Sequence, residues 1–122
     1  MGIYTDQQIQ DALRIVESSI VNCEKVQPKL KEGSSQLSLS HNRIKALYIT
    51  KTLLLGQAST FTTLELEAAI VQITSIKNKS ITGISNAKEG SATYTRFHKL
   101  ISAMEIILDY LQEAKVETME NQ

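Results

Sequence analysis

The chain has 122 residues, of which 42% are hydrophobic and 21% charged, as in a globular domain with a core of its own. Its 13 basic and 13 acidic residues balance, so the positive excess typical of nucleic-acid-binding proteins is missing. One cysteine excludes a disulfide framework or a multi-cysteine metal site. We predict a single domain, residues 1–122, without a cofactor.

The N-terminal residues have no basic region followed by an apolar run, so we expect no signal peptide. Asp6 occupies the position where myristoylation of Gly2 requires Ser or Thr. The longest apolar runs have four residues, against roughly 20 for a membrane span. These features predict a cytoplasmic protein with no membrane partner.

The first predicted helix begins after Thr5, which forms a capping box with Gln8. Pro28 cannot donate a backbone hydrogen bond, so the helix should end or kink near Val26. Cys23 is expected to be a small buried hydrophobe. Apolar residues come after the cap at spacings of three and four: Ile9, Leu13, Val16, Ile20 and Cys23.

A Lys-Glu-Gly-Ser segment connects to the second predicted helix, since Gly33 permits a positive φ and Ser34 can cap the helix that begins after it. Because Ser40 and Lys51 are polar, we expect this helix to lie near solvent or a partner. Gly56 is predicted to end it. Six positions have coiled-coil spacing: Leu37, Ser40, Ile44, Leu47, Lys51 and Leu54.

The second half of the chain repeats this pattern at an offset of 57 residues, with 12 identities between residues 4–57 and 61–114. Such a fixed-period match indicates an internal repeat. Thr62 and Glu65 form the second capping box. The third helix is predicted to loosen between Ser80 and Asn86, where Ser, Thr, Asn and Gly residues gather.

The fourth predicted helix has the same coiled-coil spacing with no polar interruption, and the residues from Glu117 onward are predicted to fray. Residues 57–61 should link the halves. Short connections favour antiparallel neighbours, so we predict an all-α, up-down four-helix bundle of two tandem hairpins with pseudo-twofold symmetry. The spaced residues are Tyr94, Phe97, Ile101, Met104, Leu108 and Leu111.

His41 and His98 are the only histidines and occupy equivalent positions. Symmetry could bring them together to share a metal ion or a proton. However, Ser38 and Thr95 stand where di-metal bundles place glutamate, and zinc needs at least three protein ligands. We therefore expect each histidine to hydrogen-bond a facing loop or helix end.

A locally basic stretch in the second helix contains His41, Arg43, Lys45 and Lys51. Such residues usually form a hydrated helix surface, and aromatic platforms for bases are missing apart from Tyr48. We do not expect nucleic acid to be the partner. No catalytic motif occurs, so we do not expect an enzyme.

The segment Cys-Glu-Lys-Val-Gln-Pro-Lys-Leu-Lys-Glu-Gly-Ser-Ser-Gln from Cys23, followed by Asn-Arg-Ile-Lys-Ala-Leu, resembles small helical proteins of low-GC Gram-positive bacteria with no assigned activity. The resemblance covers about a quarter of the chain. It implies a bacterial cytosolic protein with a helical fold, and it transfers no functional residue.

The leading hypothesis is a non-enzymatic bundle that binds a protein partner or a second copy of itself. Its predicted interaction residues lie on the first repeat: Ser40, Arg43 and Lys51. One alternative is a metal- or small-molecule-binding bundle that uses His41 and His98. Another is weak nucleic-acid binding through the basic face of the first repeat.

Overall fold

The computed structural model describes residues 3–57 and 60–121. Residues 58 and 59 of the predicted linker and Gly2 lie outside this part of the chain. No strand occurs in the described residues. They form one 3-10 turn, Gln27–Lys29, and four α-helices: α1 (Asp6–Val26), α2 (Ser35–Leu54), α3 (Thr63–Ser85) and α4 (Ala92–Glu120).

The four helices form an antiparallel ring in which each contacts the next and α4 returns to α1. Tyr48 on α2 reaches Glu24 on α1, and Lys45 on α2 reaches Glu65 on α3. The helices α2 and α4 also touch across the centre. This arrangement confirms the predicted up-down four-helix bundle.

Matching caps start the helices of the two halves. Thr5 and Thr62 each accept a hydrogen bond from the backbone N–H three residues later, and the side chain at that position bonds back. Ser34 and Ser91 cap α2 and α4. Glycines with positive φ close the connections and confirm the predicted turns: Gly33 (78°), Gly56 (68°) and Gly90 (83°).

The centre of the bundle is built from the same five positions of α2 and α4, 57 residues apart. In α2 the buried residues are Ala46, Leu47, Ile49, Thr50 and Leu54. In α4 they are Ala103, Met104, Ile106, Ile107 and Leu111. Of the six positions with coiled-coil spacing in each helix, two are buried and four are half-buried, so the predicted stripe lies along one side of the core. Each of these helices packs against three others, which buries a wider face than a two-stranded seam.

The helix α1 ends at Val26 before Pro28, as predicted, and Pro28 lies in the 3-10 turn that follows. The predicted loosening of the third helix is wrong, because α3 continues through Ser80 to Ser85. No proline interrupts this stretch, and the Ser80 hydroxyl donates to the Ile76 carbonyl within the same helix at 2.8 Å. The predicted fraying is also wrong, since α4 runs to Glu120.

Among the described residues, no helix is both long enough and apolar enough to cross a bilayer.

Candidate functional site

The two histidines lie on equivalent turns of α2 and α4 but have different neighbours. Gln27 Nε2 donates to His41 Nδ1 at 2.8 Å, which joins α2 to the end of α1. His98 packs edge-on against Tyr94, with 4.6 Å between ring centroids. Both histidines are exposed, and each of these contacts stays within one hairpin. The expected bond to a facing helix end is present for His41.

Metal binding by the histidines gains no support from their surroundings. In residues 3–57 and 60–121, no group of three His, Cys, Asp or Glu side chains is placed to hold a metal ion. Zinc sites use at least three protein ligands. The metal-binding role therefore stays a hypothesis without a donor set.

The structure does not bring the three predicted interaction residues together. Arg43 turns into the α2/α3 interface, where its Nη2 donates to Ser75 Oγ at 3.4 Å. Its Nε is buried without a hydrogen-bonding partner. Ser40 and Lys51 are half-buried, and their separation of eleven positions corresponds to about 16 Å along a helix.

The locally basic stretch of α2 is partly neutralised by α3. Lys45 Nζ lies 3.3 Å from Glu65 Oε2, and the Arg43 guanidinium faces the protein interior rather than solvent. His41 and Lys45 are exposed to solvent, and Lys51 is half-buried. These side chains do not form the continuous cationic surface that phosphate binding requires.

Cys23 is half-buried and packs against the core of the bundle. Burial raises the pKa of its thiol, and the nearby Arg43 guanidinium only partly offsets that rise. The thiol is therefore protonated at neutral pH and behaves as a small hydrophobe.

Two grooves with equivalent walls separate the hairpins. The groove between α1 and α4 has a volume of about 460 Å³, and the groove between α2 and α3 about 390 Å³. All nine residues that line the α2/α3 groove have counterparts 57 positions away in the α1/α4 groove, which His98 also lines. The grooves are thus a matched pair with different side chains.

The chemistry of the two grooves differs at one spanning pair. Lys45 and Glu65 bridge the α2/α3 groove. Their counterparts in the α1/α4 groove are Ser102 and Gln8, and no hydrogen bond or ion pair in the described part of the chain joins these two. The α1/α4 groove is therefore the less tightly closed of the two.

The outside of the α1/α2 hairpin carries an exposed apolar cluster, which we call the hairpin patch: Val21, Tyr48 and Leu55, exposed to 48%, 45% and 45%. Tyr48 Oη donates to Glu24 at 3.4 Å, which places α2 beside α1 at this level. Val21 lies one turn before Glu24, and Leu55 lies two turns after Tyr48. Because the helices are antiparallel, the three side chains share one surface.

Sequence periodicity missed the hairpin patch because it lies on the outer faces of both helices. The signal that finds it is the comparison of equivalent positions. The counterparts of the patch in the α3/α4 hairpin are all polar and exposed: Asn78, Glu105 and Gln112. Of the predicted interaction residues, Lys51 lies one turn from both Tyr48 and Leu55.

Comparison with protein-family models, curated proteins and solved structures gives no significant match to this chain.

Proposed function

We propose that this bundle is a non-enzymatic interaction module that binds another protein through the hairpin patch. The observation that carries the proposal is the apolar character of Val21, Tyr48 and Leu55 at about half exposure. Clustered exposed apolar residues mark interaction sites more often than scattered ones do.

The composition of the patch suits a protein partner. Tyrosine offers a large apolar ring and a polar hydroxyl, and it is enriched among the residues that dominate binding energy. Glu24 and Lys51 border the apolar side chains, as a polar rim surrounds the apolar centre of many interfaces. Lys51 was among the interaction residues predicted from the sequence.

The fold itself does not require apolar residues at these positions. The α3/α4 hairpin has the same topology with Asn78, Glu105 and Gln112 at the equivalent sites. The hydrophobic side chains of the first hairpin therefore need an explanation other than folding, and contact with a partner supplies one.

The test exchanges the patch for its polar counterparts, as Val21→Asn, Tyr48→Glu and Leu55→Gln in one chain. A matched control carries Val116→Gln and Met119→Gln, which change exposed apolar residues near the end of α4. Both chains and the wild type are tagged, cross-linked in the cells that naturally express the protein, and compared by mass spectrometry. Proteins recovered with the wild type are then purified and titrated calorimetrically against each chain.

We expect a purified partner to bind the wild type and the control alike, and to bind the patch variant at least about tenfold more weakly, a loss of about 1.4 kcal/mol. Circular dichroism should show unchanged helix content in all three chains. The proposal is contradicted if the patch variant binds the partner as tightly as the wild type does. It is also contradicted if the wild type recovers no protein that the tag alone does not recover.

A further inference from the structure

The outermost ridge of α3 is free of charge and apolar toward its N-terminal end. Its members are spaced four and three residues apart, as in a coiled-coil stripe: Leu64, Ala68, Val71, Ser75, Asn78 and Thr82. Leu64 is 77% exposed and Val71 is 64% exposed, which makes both stand clear of the bundle. We call this set the α3 ridge.

The equivalent ridge of α1 has a different character. Gln7 and Arg14 stand in place of Leu64 and Val71, with Asp11 between them. Gln7 Nε2 donates to Asp11 at 2.9 Å, and Arg14 pairs with the same carboxylate at 3.3 Å. The α1 ridge is thus a self-satisfied polar surface, so the bundle does not need Leu64 and Val71 at these places.

The two halves of the α3 ridge are complementary in shape. Its N-terminal half projects the Leu64 side chain. Its C-terminal half is a shallow depression lined by Val71, Thr74, Ser75, Asn78, Lys79 and Thr82. If a second α3 helix lies antiparallel on the first, Leu64 of each copy lies at the depression of the other copy.

The charges beside the ridge follow the same polarity. On the flank of the ridge that faces α2, the N-terminal half of α3 carries Glu65, which also pairs with Lys45 at 3.3 Å, and the C-terminal half carries Lys79. An antiparallel pair brings Glu65 of each copy toward Lys79 of the other copy, whereas a parallel pair brings like charges together. The equivalent positions of α1 hold no charged residue: Gln8 and Asn22.

We infer that two copies of this chain associate through antiparallel contact of their α3 ridges. The twofold axis passes beside position 73, which places Leu64 opposite the partner's Thr82 and Val71 opposite the partner's Ser75. Shape and charge both select a second copy, because each half of the ridge complements the other half of the same helix. The surface is separate from the hairpin patch, so the inference goes beyond the proposed function.

The association should be weak, because Leu64 and Val71 supply most of the apolar surface and the rest of the ridge is small or polar. Contacts of this size have dissociation constants on the order of 10–100 µM. Sedimentation equilibrium of the full chain, from a few micromolar to about 1 mM, should show a mass rising from 13.6 kDa toward twice that value.

Substitutions taken from α1 provide a test that spares the fold. The Leu64→Gln, Val71→Arg double variant places the residues of Gln7 and Arg14 on α3 and should remain monomeric throughout that range. Lys79→Glu should raise the dimer dissociation constant about threefold at low salt, because residue 79 lies near the partner's Glu65. The matched control, Val21→Asn, alters the hairpin patch and should leave the dimer unchanged.

The orientation is tested by cross-linking in a Cys23→Ser background, since Ser80 occupies the equivalent position. A mixture of Leu64→Cys and Thr82→Cys chains should form a disulfide-linked pair. The Leu64→Cys chain alone should not, because antiparallel pairing separates its two thiols by about 27 Å.

A wild-type chain that stays monomeric at about 1 mM overturns the inference. So does a double variant that associates like the wild type, or preferential cross-linking of Leu64→Cys chains to each other. A dimer lost on Val21→Asn but kept in the double variant also overturns it, and it would assign self-association to the hairpin patch. Failure of the hairpin patch to bind a different protein leaves these masses unaffected, so the two proposals fail separately.

Discussion

In the α3/α4 hairpin the ring of Phe97 lies against Gly83, whereas the α1/α2 hairpin has Ser40 and Val26 at the equivalent positions. In the α3/α4 hairpin the larger side chain is on the second helix, and in the α1/α2 hairpin it is on the first. The helices α3 and α4 also contact each other more extensively than α1 and α2 do. A glycine opposite an aromatic ring is one way in which two helices come close.

Nearer the middle of the bundle the hairpins differ far less. The buried positions of α2 and α4 coincide, and only Thr50 with its counterpart Ile107 differs in polarity there. Positions that must pack against three helices at once are constrained in both hairpins, while positions at the ends and on the outside are not. The differences between the hairpins therefore indicate which sites are available to function.

The largest expected effect comes from making Ile107 resemble its counterpart. Ile107→Thr removes buried methyl and methylene groups and adds a hydroxyl at a site with no solvent access. We expect a loss of about 2–3 kcal/mol in the free energy of unfolding, measured by urea denaturation.

The isosteric change Thr50→Val, at the equivalent position of α2, serves as its control. The Thr50 hydroxyl donates to the Leu47 carbonyl at 2.7 Å within the same helix. When the hydroxyl is removed, that carbonyl still accepts its backbone hydrogen bond from the helix, so no polar group is left unpaired. We expect a change within about 1 kcal/mol. Equal losses in the two variants would show that the polar centre of α2 contributes as much as the apolar centre of α4.

A smaller effect, which changes sign with its background, is expected for Gly83→Ala. A Cβ atom at Gly83 would lie 2.5 Å from Phe97 Cζ, so the half-buried ring must move. The clash should outweigh the gain of about 1 kcal/mol in helix propensity, for a net loss of about 1–2 kcal/mol.

In a Phe97→Ala background the ring is gone, and the same Gly83→Ala change should stabilise by up to about 1 kcal/mol. A double-mutant cycle in urea measures both values. Destabilisation of the same size in the two backgrounds would mean that Phe97 does not account for the glycine.

The caps and the bundle could be predicted from sequence because their causes are local. Thr5 and Gln8 lie within one turn of each other, and Pro28 acts on its immediate neighbours. At Gly83, where α3 was predicted to loosen, the helix continues and the Phe97 ring of α4 packs against it, a contact that composition alone does not reveal. The orientation of Arg43 depends on which helix lies opposite, and periodicity does not encode that.

The two proposed interaction surfaces were the least accessible to sequence analysis. A stripe of apolar residues predicts burial, yet Leu64 and Val71 form a stripe that faces solvent. Such a ridge is distinguished from a core face by two observations. Its apolar side chains are exposed in the structure, and the residues at the equivalent positions of α1 are polar. Lys51, near the hairpin patch, was identified because polar residues interrupted the predicted coiled-coil stripe of α2, which lies along one side of the core.

The smallest expected effect concerns Tyr4, whose counterpart is Phe61. The Tyr4 hydroxyl donates to the Asp109 carboxylate, which ties the start of α1 to α4. That hydrogen bond, with burial second, raises the pKa of Tyr4 to about 12. Tyr4→Phe removes the bond and should cost about 1 kcal/mol at pH 7, since solvent screens this partly exposed pair.

The pH dependence gives this prediction its direction. The folded state favours the neutral phenol, so the contribution of Tyr4 is fully present below its ordinary pKa of about 10. It should be lost as the pH rises toward 12. The difference in urea midpoint between the wild type and Tyr4→Phe should therefore shrink from pH 9 to pH 12.

Tyr48→Phe is the matched control, because its longer contact with Glu24 ties together α1 and α2 instead of α1 and α4. A difference that stays constant across this range would mean that Tyr4 stabilises the helix start by packing alone, as Phe61 does in the other hairpin.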